Sequence, residues 1–274
     1  MKLQGKSLFI TGGSRGIGRA IALKCAKEGA NIAIAAKTDT PHPALKGTIY
    51  SVAEEIEALG VRALPIKLDV RDEDGVQEAI DATATEFGGL DILVNNASAI
   101  SLTSTADTPM KRFDLMMSVN LRATYACSQA ALPYLKGSSN PHILTLSPPL
   151  SMQAKWFKNH VAYTISKYGM SMCTLGMAEE FKALGIAVNS LWPKTTIATA
   201  AIEHNFPDAV MQGSRTSEIM ADSALWIFQQ PSKNYTGQFL IDELVLKEAG
   251  ILNFDKYALN PETPLFSDLF IDER

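Results

Sequence analysis

The feature that most constrains this chain is an alternation of short, nearly continuous apolar runs with longer amphipathic stretches. Strands buried on both faces read as unbroken apolar runs, and pairing them in parallel requires a crossover, usually helical, between neighbours. The expectation is an α/β fold, an open doubly wound parallel sheet of about seven strands with helices on both faces. The spacing predicts strands at Ser7–Ile10, Asn31–Ala36, Arg62–Asp69, Asp91–Asn95, His142–Ser147, Ala187–Leu191 and Gln238–Ile241. It predicts helices at Ile17–Glu28, Ile49–Leu59, Asp72–Phe87 and His160–Leu184, and a long, largely helical stretch at Pro109–Leu135 with Pro133 near its end. No repeat or linker interrupts the series. A single domain over residues 1–274 is therefore expected, with residues from about 248 to 274 as a tail that wraps it. The connection Lys37–Gly47 also stands outside the alternation.

Composition removes several classes of function. A hydrophobic fraction of 46% with 20% charged residues is that of a soluble globular protein able to bury a core without disulfides or metal. A net charge of −4 provides no general attraction to nucleic acid or anionic membrane. Cys25, Cys127 and Cys173 are odd in number, far apart and set in apolar helical contexts, which reads as buried reduced thiol. Neither they nor His42, His142, His160 and His204 show metal-ligand spacing, so no metal site is expected. No apolar run approaches the ~20 residues needed to cross a bilayer. With no signal-peptide core and no peroxisomal tripeptide in Ile271-Asp272-Glu273-Arg274, an intracellular, cytoplasmic setting is expected.

Between the first strand and first helix stands Thr11-Gly12-Gly13-Ser14-Arg15-Gly16-Ile17-Gly18. Glycines let the backbone turn tightly and approach a pyrophosphate, and the following helix presents free N–H groups and its positive dipole end to the anion. A glycine pattern alone also serves as a plain strand-to-helix turn; its position after the first strand of a regular β-α series favours the phosphate cradle. At the end of the second strand a carboxylate would accept hydrogen bonds from an unmodified ribose. Here Ala36 is followed by Lys37, with Arg15 in the loop, so two cations favour the additional phosphate of NADP(H) over NAD(H). The competing reading is two solvated surface charges.

Gly-Gly-Ser-Arg-Gly-Ile-Gly at residues 12–18, Asn95-Asn96-Ala97 after the fourth strand, and Tyr163 with Lys167 resemble, in this order, the motifs of short-chain dehydrogenases/reductases. The resemblance covers Lys6 to Ile241 and implies a Rossmann fold. It implies that Gly12, Gly13, Ser14, Arg15, Gly16, Ile17 and Gly18 hold the cofactor. It also implies that Asp69 holds the adenine, that Asn95 lies along the adenosine, and that Pro193 sits beside the nicotinamide carboxamide. The usual glycine after that proline is Lys194 here, so the places of Thr195 and Thr199 as cofactor contacts are open. Thr40-Pro41-His42-Pro43, Ser147-Pro148-Pro149-Leu150, Trp156-Phe157-Lys158 and Leu191-Trp192-Pro193-Lys194-Thr195 resemble one branch of that family, whose animal members carry a second lipid-binding domain.

Tyr163 and Lys167 are four apart, on one helix face. A free phenol with a pKa near ~10 holds its proton too firmly for two-way exchange at neutral pH, and a neighbouring ammonium together with the oxidised nicotinamide lowers it. Tyr163 is then the acid/base for a carbonyl or alcohol oxygen, with Lys167 as its modulator and a holder of the nicotinamide ribose. Asn120, in Met117-Ser118-Val119-Asn120, matches the family asparagine that anchors a proton relay. The family's carbonyl-polarising serine aligns with Pro148, which has no hydroxyl. Ser147, one place early, is taken as the substitute, with Ser151 as the alternative. Met152, Trp156 and Phe157 either line an apolar mouth or pack their loop against the body.

Two functions are carried forward. The first is an NADP(H)-dependent oxidoreductase interconverting a carbonyl and a secondary alcohol on a small, lipid-derived or acyl substrate. The second is an NADP(H)-binding sensor or scaffold with little turnover, favoured by Pro148. The resemblance also implies a homodimer or homotetramer paired through Pro109–Leu135 and His160–Leu184.

Overall fold

The computed structural model describes residues 1–42 and 47–272; Pro43 of the first branch motif, and Glu273 and Arg274 at the end of the tail, lie outside the described residues. Along the chain run β1 (Ser7–Thr11), α1 (Gly16–Lys27), β2 (Asn31–Ala36), α2 (Ile49–Glu57), β3 (Ala63–Lys67), α3 (Glu73–Phe87) and β4 (Ile92–Asn95). After them come α4 (Met110–Met116), a turn of π-helix (Met117–Arg122), α5 (Ala123–Leu135), β5 (His142–Thr145), α6 (Val161–Glu180) and β6 (Ala187–Trp192). The chain continues through α7 (Ala200–Asn205), α8 (Asp208–Gln212), α9 (Glu218–Phe228), β7 (Phe239–Ile241) and α10 (Asp242–Glu248).

Among the described residues the strands form one parallel sheet in the order β3-β2-β1-β4-β5-β6-β7. The fold is therefore the expected single-domain, doubly wound Rossmann type. Alternation within each strand builds its two faces. In β1, Leu8 and Ile10 enter a layer with Ile21, Ile49 and Ile227, while Phe9 enters the opposite layer with Val76, Ile80 and Ala131. Burying one such isoleucine or phenylalanine side chain contributes about 1.5–3 kcal/mol. Pro65 is tolerated because β3 is an edge strand that pairs only with β2.

Two departures from the sequence reading have local causes. The helix Glu218–Phe228 was not expected, because its Glu-Ile-Met-Ala-Asp-Ser-Ala-Leu-Trp-Ile-Phe run is apolar nearly all round and shows little helical stripe. The stretch Pro109–Leu135 is broken by the π turn at Met117–Arg122, a form frequent at functional positions.

β1 and β4 are adjacent, yet the chain proceeds from them in opposite directions across the sheet. A crevice opens outside the carboxyl ends of strands at such a reversal, and ligands of α/β sheets bind there. The glycine loop after β1, Asn95-Asn96-Ala97 after β4 and the segment after β6 all meet at this edge.

The tail runs back to the same edge. Thr195 and Ser267 form an antiparallel bridge, the Asp268 N–H donates to the Lys194 carbonyl (3.1 Å), and Trp192 Nε1 donates to the Leu269 carbonyl (2.8 Å). Phe270, only 1% exposed, adopts a left-handed backbone (φ 67°) and packs its ring against Trp156, His160, Tyr163, Tyr168 and Trp192. A left-handed non-glycine residue costs about 1–2 kcal/mol, which burial of the ring offsets.

At the opposite end of the sheet His142 opens β5, buried, with Nε2 beside Asn140 Nδ2 (3.1 Å) and Nδ1 without a partner. Burial pushes its pKa down to about 4. In the unfolded chain the imidazole takes a proton below about 6.5, whereas the folded ring resists until about 4. Its stabilisation is present above the unfolded value and is lost as pH falls from there through 4. Urea unfolding is expected to show that His142→Gln loses about 2–3 kcal/mol less than the parent between about pH 7 and 4.5. An equal loss in both proteins would refute the assignment.

Candidate active site

The reversal of the sheet is flanked by a cleft of about 880 Å³ lined by Ser14, Arg15, Ile17, Lys37, Asp69 and Asn96, among others. A second cavity, of about 290 Å³, is lined by Tyr163, Lys167, Trp192, Pro193, Thr199 and Asp268. Ile17, Asn96, Ser98 and Thr199 border both, so the two adjoin between the loop of β1 and the phenol.

The cradle is a backbone construction. Gly12 has φ 67°, a conformation glycine adopts freely, and a Cβ there would lie 2.9 Å from Asn96 Nδ2. That amide donates to the Thr11 (2.9 Å) and Gly12 (3.0 Å) carbonyls, tying the loop to the end of β4. Gly13 is pressed on Ile10 and Ile34, and Gly18 stands against the Gly12 carbonyl. A dinucleotide pyrophosphate fits what these glycines leave open at the N-terminus of α1.

At the outer end of the cleft, Arg15 Nη2 donates to Thr38 Oγ1 (2.8 Å) and Lys37 Nζ meets Asp69 Oδ2 (3.2 Å). Arg71, which the sequence reading missed, forks onto Asp69 through Nε (2.9 Å) and Nη2 (2.5 Å). The guanidinium of Arg71 holds the Asp69 carboxyl far below the usual carboxylate range. Three cations, Arg15, Lys37 and Arg71, therefore line the cleft with the carboxylates of Asp69 and Glu203. Arg71 lies two residues after Asp69, so its spacing was the available signal.

At the inner end, Tyr163 and Lys167 project from one face of α6 into the same cavity. Lys167 Nζ donates to the Leu146 carbonyl (2.6 Å) and lies 5.0 Å from the centre of the Trp192 ring. Burial brings its pKa down to about 7. Burial, with Asp268 adding to it, raises the Tyr163 phenol above its ordinary value. Without a bound cofactor the phenol thus stays protonated.

The remaining predicted residues divide. Pro193 lines the inner cavity. Asn120, in the π turn, accepts from the Ala99 N–H (2.7 Å) and donates to the Ala99 carbonyl (2.9 Å) and Ser166 Oγ (2.9 Å). Ser166 Oγ in turn donates to the Tyr163 carbonyl (2.7 Å), so Asn120 links the loop after β4 to the helix bearing the phenol. Asn95 turns away and donates to Ser128 Oγ (3.2 Å), leaving Asn96 at the cleft. The Thr195 hydroxyl is buried without a partner, whereas Thr196 and Thr199 face the inner cavity.

Ser147 is not brought to Tyr163. Its hydroxyl is fully buried and shares a 2.8 Å hydrogen bond with Ser190 Oγ, which donates to Thr174 Oγ1 (2.8 Å). Successive residues at a strand end face opposite ways, and Ser147 takes the interior side. Ser151 lies beside the Asp272 carboxylate. Trp156 and Phe157 pack inward on Phe270 and Tyr168, while Met152 is exposed. Ile202, Phe206 and Val210, from α7, α8 and the turn between them, roof the inner cavity.

The sequence model of the short chain dehydrogenase family matches residues 6–208. The chain belongs to that family. It is 60% identical over 273 residues to hydroxysteroid dehydrogenase-like protein 2 of Bos taurus, covering 100% of this chain and 65% of that protein. The branch resemblance read from the Pro148-Pro149 and Trp192-Pro193-Lys194 stretches is thereby confirmed, and the chain spans about 65% of the length of the curated relatives it matches. A solved protein of Xanthomonas campestris superposes with a TM-score of 0.96 at 51% identity, covering 100% of both chains. Short-chain dehydrogenases solved with NADP from Burkholderia cenocepacia (TM-score 0.76, 31% identity, 88% of this chain and 97% of that one) and with NAD from Mycobacterium paratuberculosis (0.74, 25%, 88% and 98%) share the fold.

Proposed function

We infer that this protein is an NADP(H)-dependent oxidoreductase interconverting a carbonyl and a secondary alcohol on a small lipid-derived or acyl substrate. The observation that carries the reading is the cleft at the glycine cradle adjoining, through shared walls, a cavity that holds Tyr163 and Lys167 together. Gly12, Gly13, Ser14, Gly16, Ile17 and Gly18 would hold the diphosphate, Arg15 and Lys37 a ribose phosphate, and Pro193 the carboxamide. Bound there, the cofactor supplies or accepts the hydride. Tyr163 Oη holds the proton that passes to or from the substrate oxygen, and Lys167 stands beside it. Asn120 keeps the loop after β4 and α6 in register, and the roof over the inner cavity limits water.

NADP(H) is preferred over NAD(H) because Arg15, Lys37 and Arg71 crowd the outer cleft, where the Asp69 carboxylate is already engaged by two of them. The double variant Arg15→Ala with Lys37→Ala is expected to bind NADPH at least about 10-fold more weakly while its NADH affinity stays within about 2-fold, by calorimetry. Equal losses for both cofactors would refute the preference.

The engaged Ser147 hydroxyl favours the second reading, an NADP(H)-binding sensor or scaffold with little turnover. A panel of ketones and aldehydes with NADPH separates the two, since a scaffold binds the cofactor and oxidises none. Among the described residues no helix is long and apolar enough to cross a membrane. Tyr125 on α5 and Ile165, Met172 and Leu175 on α6 are exposed, which supports assembly as a homodimer or homotetramer through these helices. The buried Cys25 and Cys127, whose thiols burial pushes well above their ordinary pKa, are inert and fit an intracellular setting.

A further inference from the structure

Resting on the oxidoreductase reading, we propose that Asp268, in the tail, is a catalytic residue that in its protonated form donates a hydrogen bond to the substrate carbonyl oxygen beside Tyr163. Carbonyl reduction builds negative charge on that oxygen, and a second donor aimed at it stabilises the charge as it develops. The hydroxyl at the end of β5 does not serve, because Ser147 is bonded to Ser190 behind the strand. Asp268 instead borders the cavity that holds Tyr163 and Lys167.

The carboxyl is held in place and left unspent. Its main-chain N–H donates to the Lys194 carbonyl (3.1 Å), and its Oδ1 accepts from the Leu269 N–H (2.7 Å). Oδ2 has no hydrogen-bond partner among the described residues, and Asp268 forms no ion pair with Lys167 within 4 Å. On one side Phe270 locks the tail into its aromatic cage; on the other the Thr195–Ser267 bridge ties it to the segment after β6. A carboxyl can donate only when protonated, and the surroundings favour that form.

Burial raises its pKa to about 7, and Asp242 at the start of α10 adds to this. Lys167 from α6 opposes it, and the Tyr163 phenol beside it is uncharged at neutral pH. Of the other charged groups at this edge, Glu243 is fully paired, whereas Asp242 Oδ2 and Arg215 Nε and Nη1 have no hydrogen-bond partner among the described residues. Glu243 takes Lys194 (2.7 Å), Arg215 (3.0 Å) and Lys247 (2.8 Å), and Asp242 Oδ1 accepts from the Lys194 N–H (2.9 Å). Tyr163 gives its proton to the substrate oxygen, and Asp268 keeps its own.

The experiment compares NADPH oxidation by the parent, Tyr163→Phe, Asp268→Ala and Asp268→Asn on whichever ketone of the panel turns over, across about pH 5.5–9. The parent is expected to lose kcat/KM as pH rises through about 7, as the donor ionises. Asp268→Ala is expected to lose about 10²-fold below that point. Asp268→Asn, whose amide donates at every pH, is expected to lose less than the parent across that limb, keeping only the fall due to Lys167, and to exceed the parent at the alkaline end. NADPH affinity and thermal midpoint, followed in every variant, report a tail that has merely come loose. Aspartate carboxyl ¹³C resonances of the parent, assigned by difference from Asp268→Asn, read the protonation state without turnover. A Tyr163-dependent parent whose rate and pH profile survive Asp268→Ala would overturn this inference alone, as would a carboxyl fully ionised at about pH 6. A parent that binds NADPH yet oxidises it with no ketone of the panel would overturn the oxidoreductase reading on which it rests.

Discussion

Tyr163→Phe is expected to lower kcat for carbonyl reduction by about 10³-fold, about 4 kcal/mol of transition-state stabilisation, while leaving NADPH affinity within about 3-fold. The substitution removes one oxygen. The phenyl ring stays tilted against Phe270 (centroids 6.3 Å apart) and within the cluster of Met116, Ala162, Tyr168 and Trp192. The fold should therefore change by less than about 1 kcal/mol, which a thermal melt checks. Single-turnover kinetics with NADPH separate a slowed chemical step from slowed binding. A variant retaining more than about a tenth of the parent rate would move the acid/base role to another group in the cavity, and Asp268 would be the first to test.

The second large effect is expected at Gly18. A Cβ there would fall 2.5 Å from the Gly12 carbonyl oxygen and 2.6 Å from Asn96 Nδ2. Neither neighbour can yield cheaply, because the carbonyl belongs to the backbone of the cradle and the amide ties the loop to β4 through two hydrogen bonds. Gly18→Ala must push the first turn of α1 away from the loop, and the N–H groups that would meet the diphosphate move with it. NADPH affinity is expected to fall at least about 100-fold by calorimetry, about 3 kcal/mol, with the circular dichroism of the fold retained. Gly88→Ala is the comparison. That residue, which unlike Gly18 has positive φ (83°), ends α3 with open space around its Cβ position, so it should cost about 1 kcal/mol of stability and leave cofactor affinity untouched. Equal affinities for Gly18→Ala and the parent would mean that the cradle does not hold the diphosphate.

Features carried by short-range pattern were legible before any coordinates. The apolar runs of β1, β2 and β4, the glycines of residues 12–18, and the four-residue step from Tyr163 to Lys167 all express local periodicity or backbone sterics. Each holds wherever the segment lies in space, so the strands, the cradle and the step from phenol to ammonium could be read in one dimension. The Arg71 fork belonged to the same class and was overlooked, although it lies two residues from Asp69.

Other features depended on which way a residue turned at an element's end, and on segments distant in the chain. Ser147 and Pro148 are adjacent, yet only the meeting of β5 with β6 showed that the Ser147 hydroxyl faces Ser190, 43 positions on. The roles of Asn95 and Asn96 divide in the same way, one toward Ser128 and the other toward the loop of β1. The tail left no periodic signal at all. Its Asp268 and Phe270 reach Lys167 and Tyr163 across about a hundred residues, through a backbone bridge and an aromatic cage that exist only once the sheet has formed. Backbone geometry is written locally, whereas the surroundings of a buried polar group are set by whatever the finished fold packs against it.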